Sequence, residues 1–199
     1  MEYRVVLASG SPRRKELLRQ MGVKFSCHTS SREEIIRSMD PESVVAELSA
    51  MKAEDVAEQE EGSVLVIGAD TVVSHRGEIL GKPKNDEDAV RMLSLLAGDT
   101  HEVYTGVTVL IKEEAKIVKR VAFTQATRVQ VYPMEEQEIR SYVATGEPRD
   151  KAGAYAIQGL FAPYIRGIEG DYYNIVGFPI GKLYQKLKAE GILLGAGIK

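Results

Sequence analysis

The chain has 199 residues, 44% hydrophobic and 28% charged, with a net charge of −3. This is the balance of an ordinary globular protein able to bury a sizeable core, and the charge argues against a broad surface for nucleic acid or an anionic membrane, though not against a small cationic pocket. Its one cysteine, Cys27, excludes an internal disulfide and a cysteine metal cluster; with no secretory leader pattern and no membrane-length apolar run, a cytoplasmic setting is expected.

Residues 3–8, YRVVLA, predict a buried strand, and the helix continuing through KELLRQMG ends at Gly22. Residues 23–34 predict a strand edge running into a polar loop. Asp40 then caps a helix, with Pro41 at its first position and Glu42 in its first turn, running to about Gly62. SVLVIGADTVV, residues 63–73, is the most apolar strand candidate, and so continuous a run predicts burial on both faces. SHRGEIL predicts a turn returning a short strand, and GKPKN a loop. In DEDAVRMLSLLAG the apolar residues at 89, 92, 93 and 96 form one helix face, and Gly98 stops it. HEVYTGVTVLI and AKIVKRVAFTQATRVQVY predict two strands joined by a KEEA hairpin. PMEEQEIRSYVATG predicts a helix, DKAGAYAIQG an irregular segment, and APYIRGIEGDYYNIVG a strand, a turn and a second strand. Pro179 starts the last helix, to about Glu190. No linker separates these interleaved elements, so one α/β domain over residues 1–199 is expected, built on a mixed, twisted sheet flanked by helices.

Three features of this pattern carry chemistry. In SGSPRR, Ser11 suits the N-cap, Pro12 the first helical position, and Arg13 and Arg14 the next two. Cations at a helix N-terminus cost about 0.3–1 kcal/mol each when exposed. A bound anion reverses that sign, with backbone N–H groups, the hydroxyls of Ser9 and Ser11 and two guanidinium groups converging on one phosphate. The alternative is two arginines pointing into solvent. Val45, Leu48, Lys52 and Val56 share one helix face, so a lysine interrupts an apolar stripe; it either snorkels at the core edge or meets an anion in a cleft. Asp70, with Thr71 beside it, is expected near the C-terminal end of a buried strand, where open α/β sheets bind ligands. Asp70 is a turn former there, or else a metal ligand or general base. Lys82 sits in LGKP, a loop fixed by Gly81 and Pro83. His28, His75 and His101 lack zinc spacing, and His101 is expected to bond only locally at the start of a strand. Arginines, lysines and carboxylates of this kind suit a polyphosphate bound with a divalent cation.

Seven segments together resemble the Maf family of nucleoside triphosphate pyrophosphatases. They are LASGSPRRKELL, AMKA around Lys52, GADTVV, LGKP, HEVYTGV, DKAGAYAIQG and NIVGFPIGKL, in the family's order from residue 7 to residue 183. The resemblance implies an inosine triphosphatase-like fold, two-lobed with a central cleft. It implies hydrolysis of a nucleoside triphosphate to the monophosphate and pyrophosphate, a divalent metal (Mg2+, Mn2+ or Co2+), and frequent homodimers. By motif match, Arg13, Arg14, Lys52 and Lys82 would hold phosphates, and Asp70 would accept the proton of the attacking water. Asp70 would also share the metal with an acidic residue near 33–34; SSREE offers Glu33 and Glu34, the latter aligning better, although it departs from the family's usual Asp-Glu pair. Gln158 follows the KAGAY run, as in the branch acting on dTTP and UTP, whereas the branch acting on 7-methyl-GTP carries a glutamate there. A glutamine offers both a donor and an acceptor, matching the edge of uracil or thymine. Specificity would rest on Arg13, Thr71 and Gln158. Two further readings use the same cationic cleft: a phosphatase releasing orthophosphate, and a non-catalytic nucleotide-binding regulator of cell division.

Overall fold

A computed structural model describes residues 3–36 and 38–195. Its centre is the segment that is most apolar in sequence. Strand β3 (Val64–His75) is buried at every position but Thr71. Along one edge it pairs antiparallel with β5 (Thr100–Glu113), which returns through a tight turn into β6 (Lys116–Val131). The other edge of β3 is shared. There β1 (Arg4–Leu7) pairs parallel with Val64–Ile67, and β4 (Glu78–Leu80) pairs antiparallel with Val73–His75. Between these two short partners, Gly68–Val72 has no strand on its outer edge among the described residues. Strand β2 (Phe25–Cys27) extends the sheet beyond β1, and β7 (Ile165–Glu169) extends it beyond β6.

Successive strand residues face opposite sides of a sheet, and β3 separates two cores on that basis. Leu65, Ile67, Ala69 and Val73 join the larger core. Most of its helical side chains come from α1 (Pro12–Gln20), α3 (Asp86–Leu96), α4 (Glu136–Ala144) and α6 (Ile180–Ala189). Val64, Val66 and Val72 face α2 (Pro41–Gln59) and its Val44, Val45, Leu48, Ala53 and Val56. Asp70 shares their parity and therefore lies on the α2 side. Two glycines let α2 lie almost against the strands. A Cβ at Gly68 would stand 2.3 Å from the Ser49 carbonyl oxygen, and one at Gly106 2.1 Å from that of Val45. Only a residue without a side chain permits so close an approach.

The expected elements appear in the expected order, with three corrections. Asp70 is not near the end of its strand. β3 continues to His75 because β5 and then β4 pair with it; what ends beside Asp70 is the parallel pairing with β1. The second strand expected after IRGIEG is instead the short helix α5 (Tyr172–Val176). Asp171 caps it by accepting a hydrogen bond from the Tyr173 N–H at 2.8 Å, and Gly177 closes it at φ 108°. These end signals override the β propensity of its aromatic and branched residues. His101 does lie at the start of a strand, as the second residue of β5, but its partner is not local: Nε2 lies 2.8 Å from the hydroxyl of Tyr155, 54 residues further on.

Candidate active site

The uncovered edge of β3 forms the floor of a cleft of about 610 Å³. The loop after β1, carrying Ser9 and Ser11, borders the cleft, and so does the loop after β4, carrying Gly81 and Lys82. Ser11 caps α1 by accepting from the Arg14 N–H at 3.5 Å, with Pro12 in the first helical position. Arg13 and Arg14 thus enter the cleft from the first turn of α1, and no acidic residue in that turn offsets them. Arg14 donates from Nε to the Gly177 carbonyl at 2.9 Å, from Nη1 to Ser9 Oγ at 3.2 Å and from Nη2 to Thr71 Oγ1 at 3.1 Å. Burial pushes Arg14 below the ordinary arginine value; Asp70 opposes this shift and Arg13 adds to it. An anion in the cleft would relieve a guanidinium so placed. Arg13 makes only a loose pair with exposed Asp150, at 3.6 Å.

Helix α2 delivers a further cation, and β3 and the loop before α2 deliver the opposing charges. Lys52 leaves the apolar stripe, and its ammonium meets two carboxylates: Asp70 Oδ1 at 2.5 Å and Glu34 Oε1 at 2.8 Å. Its side chain is only 15% exposed, so it does not snorkel into solvent. Burial pushes the Glu34 carboxyl up, but the hydrogen bond and charge of Lys52, with Lys82 and Arg14, hold it below the usual range. Glu33 is exposed and does not line the cleft. The Glu34 loop is pinned by Asp55 of α2, which accepts from Ser30 Oγ at 2.7 Å and the Ser31 N–H at 2.8 Å, and pairs with Arg32 Nε at 3.2 Å. Sequence reasoning missed Asp55. Its one signal was an acidic residue directly before Val56, on the buried side of the helix.

The far wall is the irregular segment after α4. It brings Asp150, Lys151, Tyr155 and Gln158 to the cleft, with Gln158 exposed at its surface. Asp150 pairs with both Arg13 and Lys151. Lys151 was missed as a cleft cation, although it lies within the DKAGAYAIQG segment. Thr71 Oγ1 lies 2.9 Å from Thr105 Oγ1 and accepts from Arg14, so its hydroxyl joins β3 to β5 and α1.

Among the described residues, no three His, Cys, Asp or Glu side chains form a ready metal cage. Two carboxylates, Asp70 and Glu34, converge on one ammonium beside the cleft cations. That donor set fits a hard divalent cation completed by substrate phosphates, the usual mode for magnesium, and does not fit an all-protein site.

Fold and cleft define an α/β protein in which an interrupted sheet edge gathers arginines, lysines and carboxylates around a space for a polyanion. The chain belongs to the Maf family: the model for Maf-like protein matches residues 4–190. It is 53% identical over 190 residues to the dTTP/UTP pyrophosphatase of Lachnoclostridium phytofermentans, covering 96% of each chain. It is 50% identical over 200 residues to the dTTP/UTP pyrophosphatase of Agathobacter rectalis, covering 94% of this chain and 98% of that one. Among solved structures, the Staphylococcus aureus Ham1 protein superposes with a TM-score of 0.50 at 12% identity, covering 94% of this chain and 99% of the other. That likeness shows the fold, and it is the inosine triphosphatase-like one the resemblance implied. Among the described residues, no helix is long and apolar enough to cross a membrane.

Proposed function

We propose that this protein hydrolyses dTTP and UTP between the α and β phosphates, releasing the nucleoside monophosphate and pyrophosphate. The observation that carries the reading is the Asp70–Lys52–Glu34 cluster facing Arg13, Arg14 and Lys82 across one cleft. A module that only bound nucleotide would need the cations but not a positioned carboxylate. The names of the two relatives support the substrate class.

In this reading Arg13, Arg14, Lys52 and Lys82, with the hydroxyls of Ser9 and Ser11, bind the phosphates. Negative charge grows on the pyrophosphate leaving group as the reaction proceeds, and cations fixed in place favour that state over the ground state. Lys52 holds Asp70 through Oδ1, and Oδ2 takes the proton from water as it attacks the α phosphorus. Asp70 and Glu34 would hold the divalent cation, which neutralises phosphate charge when bound. Gln158 and Thr71 lie on the cleft wall with Arg13; Gln158 offers the base edge one donor and one acceptor, matching thymine or uracil.

Product analysis tests the reading. Incubation with dTTP and Mg2+ is expected to yield dTMP and pyrophosphate in equal amounts. Orthophosphate as the initial product would establish a phosphatase instead. Tight dTTP binding without turnover, unaffected by loss of Asp70, would establish a regulator.

A further inference from the structure

The segment that presents Gln158 belongs to no strand or long helix: its own backbone supplies single turns, such as the Gly159 N–H donating to the Ala156 carbonyl at 3.0 Å, yet a specificity residue must be held still. Two side chains outside the segment hold it. Glu147, just after α4, accepts from the Leu160 N–H with both carboxylate oxygens, each at 3.1 Å. Tyr142 of α4 donates its hydroxyl to Glu147 Oε1 at 2.8 Å and accepts from the Ala156 N–H at 3.2 Å. The bonds fall two residues before and two residues after Gln158, so this side chain stands at the apex of a clamped arch. Gly159 lies flat against the clamp: a Cβ there would stand 2.3 Å from the Glu147 carboxylate. The Tyr142 ring is buried, its centre 5.2 Å from that of Phe161, so the hydroxyl has little freedom to leave. The Glu147 backbone carbonyl also accepts from Lys151 Nζ at 3.1 Å, tying the same residue to a cleft cation.

We propose that Glu147, oriented by Tyr142, is a positioning residue for base selection: it touches no substrate but fixes the arch that aims the Gln158 amide at the pyrimidine. The proposal rests on the reading that Gln158 meets the base. Glu147 can do this because a carboxylate accepts the Leu160 N–H and the Tyr142 hydroxyl at once, which leaves the phenol oxygen free to accept the Ala156 N–H. Loosening the arch disturbs base contact while leaving the phosphate cations and Asp70 in place. Its mark is therefore a change in KM and base preference rather than in turnover.

The test compares E147Q, Y142F and Q158A in the full chain. It measures kcat and KM for dTTP and dCTP, whose rings are alike in size and differ in their hydrogen-bonding edge, together with thermal stability. E147Q is expected to raise KM for dTTP about tenfold, the scale of one hydrogen bond to a charged group, with kcat changed less than about twofold and the dTTP-to-dCTP preference reduced by the same factor. Y142F, which keeps the ring and its packing, is expected to move the preference in the same direction by about threefold. The double variant E147Q/Q158A is expected to show no lower preference than Q158A alone. Stability losses in E147Q and Y142F with an unchanged dTTP-to-dCTP preference would overturn the positioning role. Should Q158A leave the preference intact while E147Q lowers it, the arch would stand and the assignment of Gln158 would fall. If none of the three moves the preference, both fall.

Discussion

Replacing Asp70 with asparagine separates chemistry from folding. The substitution keeps the size of a buried side chain and removes its charge and its capacity to accept a proton. Removing one member of a buried ion pair costs about 3–5 kcal/mol when the partner is left uncompensated. Here Lys52 keeps Glu34 at 2.8 Å and is 15% exposed. The expected stability loss is therefore nearer about 1 kcal/mol, the scale of one hydrogen bond. For a chain of this size that corresponds to a fall of about 2–4 °C in melting temperature. Loss of a positioned base lowers turnover at least about 100-fold, or about 2.7 kcal/mol in the barrier. Pyrophosphate release from saturating dTTP, followed alongside a thermal melt, measures both quantities. Turnover within about threefold of wild type would refute the assignment of Asp70 as base. A melting temperature lowered by about 10 °C or more would refute the claim that Glu34 suffices to compensate Lys52.

Gln158→Glu is expected to shift preference from dTTP toward 7-methyl-GTP, because a carboxylate can only accept from a base edge; an unchanged ratio of kcat/KM values would count against base reading by residue 158. Gly106→Ala drives a Cβ to within 2.1 Å of the α2 backbone at Val45. It is expected to cost about 2–3 kcal/mol, as overpacking does, and to lower activity by moving Lys52 away from Asp70; an unchanged denaturation midpoint would refute the close approach. His101 is buried and held neutral, its value pushed down to about 3 from 6.5, first by desolvation and then by the nearby charge of His75. The unfolded chain binds a proton at this site between those two values and the folded chain does not, so stability is expected to fall as pH drops from 6.5 toward 3. His101→Phe is expected to flatten that dependence in acid-denaturation titrations, and an identical slope would exclude His101 as its source.

Periodicity and end signals carried most of the fold. The cap Asp40 with Pro41, the apolar face of DEDAVRMLSLLAG and the long run of SVLVIGADTVV each specify local structure by local means, and each holds. The element that misled, DYYNIVG, carries β-type side chains between an N-cap aspartate and a terminal glycine, and at five residues the ends dominate. The site was legible where a residue contradicted its surroundings. Lys52 stood out in an apolar stripe and the arginine pair stood out at a helix N-terminus. Tyr142 and Glu147 contradict nothing in sequence, and Asp55 only by standing next to Val56, because each acts by bonding a loop that only the folded chain brings near. Gly68 and Gly106 were equally silent, since a glycine inside a strand gives no hint of which backbone approaches it.

The arginine pair divides according to what surrounds it. Arg14 donates to the Gly177 carbonyl after α5, to Ser9 after β1 and to Thr71 in β3. Three of its five N–H groups therefore join segments that border the cleft from three sides. Its charge remains in the cleft while its position is fixed. Arg13 is held only by a distant, exposed carboxylate. It can reorient toward a ligand at little cost, because breaking so loose an exposed pair forfeits about 0–1 kcal/mol. A rigid cation and an adaptable one, adjacent in sequence, suit a substrate whose phosphates must be held in one place while its base is compared. The electrostatic penalty of two cations at a helix start is thus offset by different means. Arg14 has protein acceptors at all times although burial still disfavours its charge, and Arg13 has almost none, so both gain from an anion but only Arg13 must move to meet it.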